Sequence, residues 1–179
     1  MAIVLIIVIA ALLAALFFIR MSRGHAEAIA SLDELKGRTQ PVDLASFRNL
    51  IDPAETAFLR ENLSPRAFRS VQRDRTLAAA EYVRRIASNA AVLLRLGQAA
   101  RMNPDPAVAR AAQEIAERAL AVRMTAMRAL LLLHLQAYLP DVRIPGDGIY
   151  DTYRRLTDSV ALYARLQRPA FSSYVMAML

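Results

Sequence analysis

Arg66, Arg69, Arg73, Arg84 and Arg95 fall within about 80° of one another when their segment is wound as a helix at ~100° per residue. Asp74 and Glu81 lie to one side, so the stripe itself carries no acid, and it sits opposite the apolar side of the segment. Guanidinium groups grip phosphate and carboxylate with two parallel hydrogen bonds, which suits the stripe to anionic lipid headgroups. Nucleic acid suits it less, because no aromatic side chains interleave the arginines to stack bases. The plainer reading is a solvated helix face, some of whose arginines pair with acids on neighbouring helices. Lipid attracts basic residues only within a Debye length of its surface. The helix would therefore have to lie along a membrane to use the whole stripe.

No other residues have a spacing that chemistry requires. Cysteine is absent, which removes thiolate chemistry and disulfides, and no serine sits in a G-x-S-x-G turn. Glycine-rich phosphate loops are absent. The two histidines, His25 and His134, lie in different regions. Glu114 and Glu117 form an E-x-x-E pair on the polar side of their helix, without histidine. Di-iron carboxylate bundles instead aim E-x-x-H pairs into the core. Pro145-Gly146-Asp147-Gly148 has too few oxygen ligands for a calcium loop and reads as a turn. Tyr150, Tyr153 and Tyr163 read as packing residues. The expectation is a protein with no catalytic residues, no cofactor and no metal.

The elements that must carry these residues are helices. Few glycines and many Ala and Leu favour them. Asp52-Pro53-Ala54-Glu55 combines an N-cap, a proline at the first helical position and an acid in the first turn, which predicts a short helix to about Asn62. Ser64-Pro65 repeats the start signal and predicts a long helix over 65–102. Asp105-Pro106 starts a second long helix, over 106–139, which Pro140 stops. The short link makes these two antiparallel neighbours in an αα-hairpin. A further helix is expected from Ile149 to Gln167 and short ones at Ser31–Lys36 and Ala170–Leu179. Asp43–Ile51 is either a short helix capped by Asp43 or an extended segment over the bundle.

Periodicity assigns the core. The first long helix buries Phe68, Val71, Ala78, Ala79, Tyr82, Ile86, Ala90, Leu93, Leu96 and Ala100. The second buries Val108, Ala111, Ala112, Ile115, Ala119, Val122, Ala126, Ala129, Leu130, Leu133 and Ala137. The last supplies Tyr150, Tyr153, Leu156, Val160, Tyr163 and Ala164. Ala129–Leu135 is apolar all round the helix and is expected to be the most buried stretch of the bundle, the other reading being a second membrane contact or a dimer interface; it is too short to span a bilayer, and His134 lies at its edge. Residues 52–179 thus predict an all-α, four- or five-helix antiparallel bundle built on the long hairpin, with residues 20–51 as a juxtamembrane linker.

The first 19 residues, MAIVLIIVIAALLAALFFI, contain no charged or polar residue and end at Arg20. At ~1.5 Å per residue they suffice to cross a hydrocarbon core of ~30 Å, with slight thinning of the bilayer. No basic n-region precedes them, as a cleaved leader would need, so they read as a retained single-pass anchor in the lipid bilayer. The basic residues Arg20, Arg23, Lys36 and Arg38 all lie on the C-terminal side, which by the positive-inside rule places residues 20–179 in the cytoplasm. The Arg-rich, Cys-free composition suggests a bacterial inner membrane. The net charge of +7 all arises after residue 60. The function expected is a membrane-tethered, non-enzymatic scaffold or adaptor that binds a protein partner or itself, with polyanion binding by the arginine stripe as the alternative.

Overall fold

The computed structural model describes residues 35, 37–138 and 147–167. The expected anchor, half of the expected linker including His25 and all of the expected Ser31–Lys36 helix but Leu35, Pro145-Gly146 and the expected C-terminal helix at 170–179 lie outside the described residues. Within them the chain is all helical, with five helices: α1 Leu44–Ile51, α2 Pro53–Asn62, α3 Pro65–Ala100, α4 Pro106–Tyr138 and α5 Asp147–Gln167. Asp147 and Gly148 therefore open α5 rather than belonging to a turn.

Local chemistry sets the helix starts. The Asp43 carboxylate accepts from the backbone N–H groups of Ala45 and Ser46, each at 3.0 Å, and from Ser46 Oγ at 2.6 Å. These bonds, that from the Ser46 hydroxyl first, hold the Asp43 carboxyl below its usual range, and they settle residues 44–51 as helix rather than extended chain. Asp52 caps α2 through Ala54 N at 2.9 Å, and Ser64 caps α3 through Ala67 N at 3.4 Å, each just before the expected proline. Asn103 and Asp105 organise the turn between the long helices: Asn103 Oδ1 accepts from Asp105 N, and Asp105 Oδ1 accepts from Ala107 N at the start of α4.

The packing follows the expected stripes. On α3, Phe68, Ala79, Ile86, Ala90, Leu93 and Leu96 are buried, and Val71, Ala78, Tyr82 and Ala100 are half-buried. On α4 every expected core residue is buried except Ala129 and Ala137, which are half-buried. On α5, Tyr150 alone of its stripe is half-buried. The hairpin is antiparallel: Gly97, late in α3, abuts Ala112 and Ala116, early in α4, whereas Arg84 reaches His134 near the α4 end. A Cβ on Gly97 would lie 2.7 Å from Ala112 O and 2.8 Å from Ala116 N. Only glycine lets the two backbones approach this closely.

Helix α4 is the central element, packed along α3 on one side and α5 on another, while α3 and α5 touch little. The gap between them is filled from the N-terminal side. Leu35 and Phe47, each 1% exposed, join the core there. Gly37, at φ +80°, allows the turn that follows Leu35, in which the N–H groups of Arg38 and Thr39 donate to Leu35 O. Asn89 then fixes the next residue. Its Oδ1 accepts from Gln40 N at 2.8 Å, and its Nδ2 donates to Gln40 O at 2.7 Å and to Tyr153 Oη at 2.9 Å. A buried amide is satisfied only by such partners, so Asn89 ties the linker, α3 and α5 together. Arg75 does the same for α1, donating to the carbonyls of Asn49 and Leu50 at its C-terminal end, where the helix dipole favours a cation.

Candidate functional site

The arginine stripe on α3 divides into two parts. Arg66, Arg69 and Arg73 are exposed along its first turns. Arg84 is exposed but engaged, donating to Glu81 at 3.2 Å and lying 3.2 Å from His134 Nε2. Because a guanidinium only donates, Nε2 must accept. His134 Nδ1, 2.7 Å from Leu130 O, then carries the ring proton. Arg95 is half-buried and faces Arg123 of α4. Partial burial, and next the charge of Arg95, hold the Arg123 guanidinium below the usual arginine range. Glu81 also pairs with Arg85, so it is shared between two cations.

The Ala129–Leu135 run is not the most buried stretch. Leu130 and Leu133 are buried against the bundle, but Leu131 is 69% and Leu135 45% exposed. Among the described residues the helix has two packed sides here, so a segment apolar all round leaves one side uncovered by them. That side continues backwards: Leu120 is 53% and Met124 54% exposed. Leu120, Met124, Leu131 and Leu135 fall within about 60° of one another at ~100° per residue and extend about 22 Å along α4. Half-buried Met127 lies between them. Four large apolar side chains aligned on one exposed helix face form a patch of the kind that marks an interaction site. Its sequence signal was the 3–4 spacing of positions 120, 124, 127 and 131, which the search for buried stripes passes over.

The row borders the arginine edge of α3. Arg84 meets His134, which stands between Leu131 and Leu135, and the charge of Arg95 acts on Arg123, one turn past Leu120. Arg128, exposed, flanks the row on its far side. The acids bordering this face are Asp74, exposed next to Arg73, Glu81, held between Arg84 and Arg85, and Glu117, which accepts from Gln113 Nε2 at 2.6 Å. On α5, Leu162 and Leu166 form a smaller exposed apolar pair, one turn apart.

The other sequence candidates go to structural tasks. Glu114 pairs with Arg118, whose other nitrogen donates to Arg155 O of α5 at 2.8 Å, so Glu114 helps to join α4 to α5. Among the described residues no group of three His, Asp or Glu side chains is placed to hold a metal ion. Tyr153 and Tyr163 are buried packing residues, and burial pushes the Tyr153 phenol up to about 12. Among the described residues one helix, Pro106–Ala137, is long and apolar enough to cross a membrane by length and composition. It packs against both α3 and α5 and carries Arg110, Glu114, Glu117, Arg118, Arg123 and Arg128, as suits the central helix of a bundle. No protein-family model, curated protein or solved structure matches the chain.

Proposed function

We propose that this chain is a non-enzymatic helical scaffold, tethered to a bacterial inner membrane by residues 1–19, with its bundle in the cytoplasm. The observation that carries this reading is the exposed apolar row Leu120, Met124, Leu131 and Leu135 on the central helix of a well-packed hairpin. Large apolar side chains in line on a rigid element offer contact area rather than chemistry. The Asn89–Gln40 bonds favour a tether that acts on the bundle, because they fix the chain leading from the anchor to the body of the hairpin.

A photo-crosslinking residue at Met124, and another at Leu162, in the membrane-embedded full chain would test the scaffold. The reading expects adducts, to protein or to lipid, from these positions and none from an exposed control such as Arg48 of α1, which lies across α3 from the arginine edge. Adducts from none of the three would remove it. Binding of a polyanion by the arginine stripe is the second reading, favoured by the exposure of Arg66, Arg69 and Arg73. Such binding weakens steeply with salt and should be lost on joint replacement of Arg69, Arg73 and Arg84. Unchanged binding in that triple variant would sink it.

A further inference from the structure

We infer that the α4 row and the arginine edge of α3 form one face that lies flat on an anionic phospholipid surface. The inference rests on the tethered reading above, and it names what covers the row. An interfacial helix presents an apolar side to the acyl boundary and arginines to the headgroups beside it. Here two adjacent helices share that task. Helix α4 supplies Leu120, Met124, Leu131 and Leu135, and α3 supplies Arg66, Arg69, Arg73 and Arg84. The contact of Arg84 with His134 sets α3 beside the Leu131–Leu135 end of the row, and Arg73, Arg69 and Arg66 continue the arginine edge along α3 beyond Leu135.

Charge decides between lipid and a second copy. Pairing the row with itself antiparallel about its midpoint brings Arg128 against the Arg128 of the other copy, and pairing it in parallel brings Arg128 against the other copy's Arg123 and His134 flank; neither sets an acid of the row against it. A surface of phosphate headgroups meets Arg128, Arg73 and Arg69 with opposite charge. Nucleic acid would satisfy the arginines and leave the apolar row in water. Chain length permits the arrangement. Residues 20–34 can extend to at most about 50 Å, several helix diameters of ~10–12 Å. The path from anchor to Leu35 therefore does not dictate which face meets the bilayer.

The chain has no tryptophan, so a single introduced one reports on its own position. Leu131→Trp and, as control, Asp158→Trp would be placed separately in the full chain and reconstituted into vesicles of phosphatidylglycerol and phosphatidylcholine with brominated acyl chains. Leu131→Trp should shift to the blue and lose at least half its emission, while Asp158→Trp, exposed on α5, should be unaffected. Adding Arg69→Gln, Arg73→Gln and Arg128→Gln to Leu131→Trp should cut the quenching several-fold, as should 0.5 M salt. Circular dichroism checks that each variant folds. An unquenched Leu131→Trp overturns the inference. So does full quenching in pure phosphatidylcholine, or a concentration-dependent shielding in detergent that shows a second copy on the row. A carbonate wash of the same vesicles reads the tether separately. A retained chain with an unquenched Leu131→Trp keeps the tether and removes the docking. A quenched chain that washes off does the reverse.

Discussion

Alanine at Gly97 should destabilise the bundle, whereas the same change at Gly148 should stabilise it. Both glycines are helical, and removing a glycine from a helix interior gains up to ~1 kcal/mol from propensity. At Gly148 nothing lies within 4 Å of the added Cβ, so a gain of ~0.4–1 kcal/mol is expected. At Gly97 the new atom would lie 2.7 Å from Ala112 O and 2.8 Å from Ala116 N. In a regular helix those two atoms are the partners of one i→i−4 bond, so neither can rotate aside as a side chain would. Ordinary contact begins at 3.4 Å, so the helices must part locally by about 0.7 Å. Overpacking of this kind costs ~1–3 kcal/mol. Set against a propensity gain of up to ~1 kcal/mol, the net loss is up to about 2 kcal/mol, and valine at the same position should lose more. Thermal unfolding of the full chain in detergent, followed by circular dichroism, should show a fall of several degrees for Gly97→Ala and a small rise for Gly148→Ala. Equal stability of the two variants would falsify the close approach of α3 and α4.

Three further perturbations test the joints of the bundle. Asn89→Ala removes the bonds to Gln40 and Tyr153 and should cost roughly 2 kcal/mol, seen as about 30-fold faster trypsin cleavage after Arg38 with the rest of the bundle intact. Arg75→Ala uncaps the C-terminal carbonyls of α1 and should cost ~1–2 kcal/mol, read as faster cleavage after Arg48. Burial raises the folded pKa of Tyr153 to about 12 from ~10 in the unfolded chain. Its contribution is therefore whole below pH ~10 and is lost as pH rises towards 12, by on the order of 3 kcal/mol. Denaturant titrations across that window should fall less steeply for Tyr153→Phe.

The helices were legible because their starts are chemical. Asp52-Pro53, Ser64-Pro65 and Asp105-Pro106 each join a capping side chain to a proline, and the structure begins a helix at each. Residues 44–51 were ambiguous because they follow Pro41 in a short segment with both helical and extended uses; Asp43 decided it by accepting two backbone bonds. The buried stripes of α3, α4 and α5 were legible from periodicity. What periodicity could not supply was the number of sides each helix covers. Ala129–Leu135 looked buried because it is apolar all round, but α4 is packed on two sides there and Leu131 faces outwards. Asn89 was also missed, since a polar residue beside an apolar stripe gives no sign of a partner 49 residues away. The arginine stripe was visible as a pattern, but the capture of Arg84 by Glu81 and His134 depends on the neighbouring helix.

Membrane integration tests the account most directly, because the scaffold and its docking face both assume a bundle held at a bilayer. Membranes from cells making the full chain should keep it in the pellet after a carbonate wash at pH 11. A chain beginning at residue 20 should wash into the supernatant, since a docking face without an anchor does not survive that treatment. Release of the full chain by carbonate, at the same level as the shortened one, would contradict the tether and the functional reading built on it.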